Sequence, residues 1–159
     1  MGPEILVSTT PFPKHILACD PGLITGLALI ATDGPELLYS AEPEVLDVEE
    51  TIMKMLHIAN PVDLLFVVER FTITAKTAKN TQAPWSLEVT GIARNTMWRE
   101  LRLEPVFQMP DKMLLWTSER LHALGIWHHG TGLDHANDAA RHCLAAMWAR
   151  GWRDPRVIV

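Results

Sequence analysis

The sequence predicts an α/β domain on a mixed sheet, antiparallel in its first part and parallel later. Three observations carry this. Strand-sized apolar segments follow one another through residues 15–40, punctuated by Pro-Gly and Gly-Pro turns, which is the signature of a meander. The run "DLLFVVER" (63–70) is apolar without alternation, the mark of a strand buried on both faces. Segments of helical periodicity then flank and follow it, giving the order β-β-β-α-β-α-β-α-α.

Each element has its own justification. "HILACD" (15–20) is the first strand, and "TGLALIAT" (25–32) the second, joined by the turn-former "PGLI". "GPELLYS" (34–40) supplies a turn and the third strand. In "DVEETIMKMLHIAN" (47–60), Val48, Ile52, Met55, Leu56 and Ala59 fall at helical spacing. Asp47 with Glu50 three residues on predicts a capping box, and Asn60-Pro61 stops the helix. Residues 71–83 read as a mobile polar loop, and Pro84 opens a helix over 84–102. Gly91 inside that helix weakens it, which predicts a close backbone neighbour. "EPVFQMP" (104–110) contains a short strand, and residues 111–124 form one kinked helix or two short ones ending at Gly125. After the loop "IWHHGTGLD", Asp134 caps a last helix to about Arg150, with Gly151 as its stop.

The 159 residues suffice for one domain with a real core, and a hydrophobic content of 48% excludes disorder throughout. The expected organisation is an arm (1–13), a single domain (14–152) and a tail (153–159). No apolar run is long enough to span a bilayer, and no signal-peptide pattern opens the chain. Cys19 and Cys143 lie in apolar stretches and read as reduced core thiols, so the expected location is the cytoplasm. The formal net charge of −5 argues mildly against a nucleic-acid partner, but residues 70–87 carry Arg70, Lys76 and Lys79 and no acid. The six tryptophans read as core or interface residues.

Three acids stand where an ordinary structural role is strained. Asp20 ends the first strand, Glu69 ends the buried run, and Asp138 lies in the first turns of the last helix. If strands one and four are parallel neighbours, Asp20 and Glu69 emerge at the same sheet end, where function gathers in α/β folds. His135, Asp138 and His142 are spaced i, i+3 and i+7, and so share one helix face. Converging carboxylates repel unless a cation is present, and oxygen donors with one imidazole suit Mg²⁺ or Mn²⁺ rather than Zn²⁺. Taken singly, each residue has a plainer role. Asp20 can nucleate a turn, Glu69 can pair with Arg70, Asp138 can answer the helix dipole, and Asp134 can serve as N-cap. His135 alone is more often ordinary than a ligand, and His142 reads as a packing residue or a support to ligands rather than a ligand.

The segment "ILACDPGLITGLALI" (16–30) resembles the opening of the RuvC-type Holliday-junction resolvases, within the ribonuclease H-like superfamily. Glu69 after "LLFVV" is similar to the family's second acidic position, and "HANDAARH" (135–142) is similar to its closing helix, with His135 and Asp138 on the His-x-x-Asp form. The likeness runs in order over about residues 14–150. It implies a ribonuclease H-like fold, with a five-stranded sheet of three antiparallel strands and then two parallel ones, flanked by helices. It also implies a metal-dependent endonuclease that cuts branched DNA such as Holliday junctions, leaving 5′-phosphate and 3′-hydroxyl ends. Two Mg²⁺ or Mn²⁺ ions would be held by Asp20, Glu69, Asp138 and His135, with Asp134 a weaker candidate. These four are the expected catalytic residues.

Two features depart from the family. The chain is more acidic than its members, and "MPDKMLLWTSERLHALGIW" (109–127) differs from the segment expected there, with Lys112 in place of a DNA-contacting lysine. The expected DNA surface is residues 70–82, where Arg70, Lys76 and Lys79 meet phosphates, the hydroxyls of Thr72, Thr74 and Thr77 add hydrogen bonds, and Phe71 stacks on an unpaired base. Symmetrical cutting of two strands implies a homodimer, with Gly91 and the helix 84–102 as the expected contact. Two other functions fit the same fold: a nuclease acting on RNA or less selectively on DNA, and a non-catalytic nucleic-acid-binding module.

Overall fold

The computed structural model describes residues 12–79, 83–130 and 134–154. Five strands, β1 (His15–Asp20), β2 (Gly26–Ala31), β3 (Glu36–Ala41), β4 (Leu64–Glu69) and β5 (Val106–Gln108), pair in the order β3-β2-β1-β4-β5. The β1/β2 and β2/β3 pairs are antiparallel, and the β1/β4 and β4/β5 pairs are parallel. The four helices are α1 (Val48–Ile58), α2 (Ala83–Leu101), α3 (Ser118–Leu124) and α4 (His135–Ala149). Short 3₁₀ turns precede α1 and β4, and another spans Pro110–Met113.

Strand alternation divides the core into two layers. Ile16, Ala18, Ala28, Ile30 and Val67 face α4, whose Ala139, Ala140, Cys143 and Leu144 pack on them. Leu17, Cys19, Leu27, Leu29, Phe66 and Val68 face α1 and α2, meeting Ile52, Met55, Val89, Ala93 and Met97. Burying each larger side chain stabilises the fold by about 1.5–3 kcal/mol. Cys19 and Cys143 are buried free thiols on opposite sides of the sheet. Phe12 packs against the α4 layer, and Asp154 is buried at the far end of the described chain. The rest of the expected arm (1–11) and tail (155–159) lies outside the described residues. No helix among them is long and apolar enough to cross a membrane.

Several local expectations need correction. Asp47 precedes α1 but makes no capping hydrogen bond, because the preceding 3₁₀ turn holds it at φ −99°, ψ −3°, already close to helical. Its carbonyl accepts from Thr51 Oγ1 instead. Gly91 has no close neighbour: a Cβ there would meet nothing within 4 Å. Of the two alternatives for residues 111–124 the structure takes two short pieces, separated at Thr117, whose hydroxyl caps α3 by accepting from the Arg120 N–H. Gly125 ends α3 at φ 71°, the left-handed conformation that glycine adopts without penalty. Among the tryptophans, Trp116 is fully buried against Trp148 and Trp152, whereas Trp85 and Trp98 on α2 are more than a third exposed.

Candidate active site

The turn after β1 is closed without the Asp20 side chain. Thr25 Oγ1 donates to the Gly22 carbonyl, the Thr25 N–H donates to Pro43, and Ile24 bridges to Glu44. Asp20 is thereby released for another partner. Cys19 points toward α1 and α2, so Asp20, one residue on, points toward α4. His135 meets it there, its Nδ1 2.9 Å from Asp20 Oδ2.

The meeting depends on how α4 begins. Gly26 pairs with Asp20 across the β1/β2 ladder, and a Cβ on Gly26 would lie 1.8 Å from the His135 carbonyl oxygen. Only a residue without a side chain admits the helix so close. The first turn of α4 is then held by groups from elsewhere in the chain. Glu42, just past β3, accepts from the Ala136 N–H at 3.1 Å, a carboxylate at the positive end of the helix. Asn137 is buried and accepts from the His128 N–H at 2.8 Å, while its amide donates to Asp134 Oδ1 and the His128 carbonyl. Asp134 occupies the N-cap position at φ 70°, and its side chain makes no cap hydrogen bond.

Glu69 reaches the same side of the sheet by the same alternation. The parallel register pairs Cys19 with Val68, so Asp20 and Glu69 follow at adjacent strand ends. Gln108 pairs with Glu69 on the next strand. His142, two turns beyond His135 on α4 and fully buried, spans them: Nε2 lies 2.8 Å from Glu69 Oε2 and Nδ1 2.8 Å from Gln108 Oε1. Glu69 therefore pairs with His142 and not with Arg70.

Ligand atoms of Asp20, His135 and Asp138 all lie within 4.8 Å of one another. Glu69 stands outside this trio but lines a cleft of about 270 Å³ with two of its members, Asp20 and His135, and with Gly22, Phe71 and Ser86, whereas Asp138 borders a separate hollow with Arg141, Trp116 and Ser118. Burial raises the Asp20 carboxyl above its ordinary range, and the charges of Glu69 and Asp138 raise it further against the opposing His135 hydrogen bond. Burial likewise raises Asp138, with Arg141 opposing. The hydrogen bond to Asp20 raises His135, and the charges of Asp138 and Glu42 add to it. The cleft is thus short of positive charge. Hard oxygen donors beside one imidazole fit a small divalent cation of the Mg²⁺ or Mn²⁺ type, which would relieve that repulsion.

The remaining predicted residues are dispersed. Asp134 is exposed and lies outside the trio, its side chain taken by Asn137. Phe71 is half-buried in the cleft wall. Arg70 is exposed, with its guanidinium 4.5 Å above the Phe107 ring. Lys76 and Lys79 are exposed on a segment folded about Thr77, while Asn80, Thr81 and Gln82 of the expected surface lie outside the described residues. Thr77 Oγ1 donates to the Thr72 carbonyl and exchanges hydrogen bonds with Thr74, so these two hydroxyls are engaged within the segment. Lys112 lines a different cavity, of about 440 Å³, with Gln108, Trp116, Trp148 and Arg150.

Four participants escaped the sequence reading. Arg141 binds Asp138, the Trp116 carbonyl and Ser118 Oγ, and its i+3 spacing from Asp138 was a usable signal. Asn137 had a weaker one, as a polar residue on the inward face of an apolar helix. Glu42 and Gln108 had none, since each acts across a long sequence separation at a strand end.

No protein-family model and no curated protein sequence matches the chain. Among solved structures, T. thermophilus RuvC in complex with Holliday junction substrate is similar at 18% identity and a TM-score of 0.66, over 86% of this chain and 95% of that one. With the sheet order and the flanking helices, this likeness shows that the chain has a ribonuclease H-like fold of the RuvC kind.

Proposed function

We propose that the protein is a metal-dependent endonuclease that cleaves branched DNA such as four-way junctions. The observation that carries this reading is the convergence of Asp20, His135 and Asp138, with Glu69 beside Asp20 and His135 in one cleft, at the sheet end of a fold shared with a protein solved on a Holliday junction. Asp20, Glu69, Asp138 and His135 would hold the divalent ions, of the Mg²⁺ or Mn²⁺ type. Bound there, the ions would supply a nucleophile at neutral pH and neutralise charge on the scissile phosphate.

The chain's own groups do the rest. Side-chain hydrogen bonds orient the half-buried carboxylates, and the Gly26 contact seats the start of α4 against β2. Phe71 in the cleft wall offers a face on which an unpaired base can stack. Lys76 and Lys79 stand exposed beyond it to meet phosphates. The products are 5′-phosphate and 3′-hydroxyl ends. Two symmetrical cuts call for a homodimer, for which the exposed Trp85, Leu87 and Trp98 of α2 offer apolar surface.

The test is incubation of the purified protein with labelled four-way junction, flap, linear duplex and RNA, each with Mg²⁺, Mn²⁺ or EDTA. Metal-dependent, paired cuts in the junction are expected. Preferential cleavage of RNA or linear duplex would move the substrate within the same chemistry. Binding without cleavage in either metal would make the protein a non-catalytic module.

A further inference from the structure

We infer that His142, clamped by Gln108, is a positioning residue that orients Glu69 for the metal centre. The inference rests on the proposed function. Glu69 Oε2 is held by His142 Nε2 at 2.8 Å, and its other oxygen makes no hydrogen bond among the described residues. The imidazole is completely buried and cannot turn away. Its Nδ1 is held at 2.8 Å by the Gln108 amide, which is itself buried on the strand next to Glu69.

The chemistry of the three groups decides where the proton sits. An ionised carboxylate only accepts, so His142 must donate from Nε2 to Glu69. Gln108 is versatile: its oxygen accepts from Nδ1–H when the ring is charged, and its amide nitrogen donates to Nδ1 when the ring is neutral. In both states Nε2–H remains aimed at Glu69. One oxygen is thereby occupied and the other is left for the cleft. A carboxylate oriented by an imidazole reverses the familiar arrangement in which a carboxylate orients a metal-bound imidazole, and the physical benefit is the same. The spacing i to i+7 makes α4 serve twice, with His135 on Asp20 and His142 on Glu69.

Calorimetric titration with Mn²⁺ alone, without DNA, tests this. His142→Leu should weaken Mn²⁺ binding by about 10–100-fold, the usual cost of losing a group that orients a ligand. His142→Gln can place an amide N–H near the position of Nε2, and it should recover affinity to within about threefold of the wild type. In a Glu69→Gln background the His142→Leu change should weaken Mn²⁺ no further, an outcome that a merely structural role would not produce. Should His142→Leu fail to fold, Gln108→Leu carries the test. Releasing the ring from its far side should weaken Mn²⁺ by about threefold or more. Wild-type affinity in His142→Leu, or in Gln108→Leu where that variant stands in, overturns the role of His142. A wild-type protein that takes up no Mn²⁺ overturns the metal centre itself, and this role with it.

Discussion

Gly26 and His135 touch backbone to backbone, and the start of α4 is seated on β2 only because residue 26 has no side chain. A methyl group there would meet the His135 carbonyl carbon at 2.2 Å as well as its oxygen, and neither can rotate away. Gly26→Ala should therefore lift the first turn of α4 and displace His135 and Asp138 together. Displacements near 1 Å cost catalysis on the order of 100-fold, and the overpacking costs about 1–3 kcal/mol. Single-turnover cleavage and a denaturant titration measure the two effects separately. A Gly26→Ala protein with full activity would show that the helix can sit elsewhere.

Asp20→Asn and Glu69→Gln should each abolish cleavage while junction binding survives. These side chains lie in the cleft and not on the exposed Lys76/Lys79 segment. A gel-shift assay in EDTA beside a cleavage assay in Mg²⁺ distinguishes the two properties. Undiminished cutting by the Asp20→Asn protein would remove the metal assignment.

The metal-free protein should lose stability as the pH rises through the neutral range. His135 titrates above its unfolded value of 6.5 because the Asp20 hydrogen bond favours its charged form. That contribution is complete below about pH 6.5 and fades as the pH climbs through the raised folded value. Asp20 has the same sign but a window that opens at its unfolded value of 3.8, where burial begins to penalise its ionised form, so the neutral-range slope is assigned to His135. A divalent cation should reverse the trend, because binding needs a neutral imidazole and an ionised carboxylate. Melting temperatures between pH 6 and pH 8.5, with and without Mn²⁺, should diverge toward the alkaline end, and His135→Ala should flatten the metal-free curve.

Asn137→Ala should destabilise the fold by about 1–3 kcal/mol, because it strips a buried hydrogen-bond partner from the His128 backbone. Glu42→Ala removes the acceptor at the Ala136 N–H and should cost about 1 kcal/mol. Urea titrations compare the two. The larger loss is expected at Asn137, which is itself buried and serves three hydrogen bonds, against the one that Glu42 accepts from the start of α4.

Alanine at Lys76 and Lys79 should weaken binding about equally across DNA sequences. Each replacement should lower the slope of log affinity against log salt by about 1. Titrations at several salt concentrations report this, and an unchanged slope would place the phosphate contacts elsewhere on the molecule.

The acids were legible because their positions obey short-range periodicities. Alternation within β1 and β4, parallel pairing and the 3.6-residue repeat of α4 are enough to send Asp20, Glu69, His135 and Asp138 to one sheet end. What the spacing could not supply was the partner of each. Glu69 next to Arg70 suggested an ion pair, yet adjacent strand residues point to opposite faces, and Arg70 stacks on Phe107 instead. The expected capping box at Asp47 gave way to a 3₁₀ turn that already held the residue near-helical. Gly91 appeared to mark a packed backbone but faces open space. Gln108 on β5 and Glu42 just past β3 act on residues distant in sequence, so only the three-dimensional pairing exposes them.

The in-register ends of β1 and β4 tie the core and the chemistry to one parity. One extra residue inserted within Leu64–Glu69 would exchange the faces of every residue after it, turning Glu69 toward α1 and presenting its apolar neighbour to the cleft. Length variation is therefore tolerable only between elements, as in the stretches 70–76 and 126–130. A lineage of such chains can vary its surface there while the strands keep their residue count.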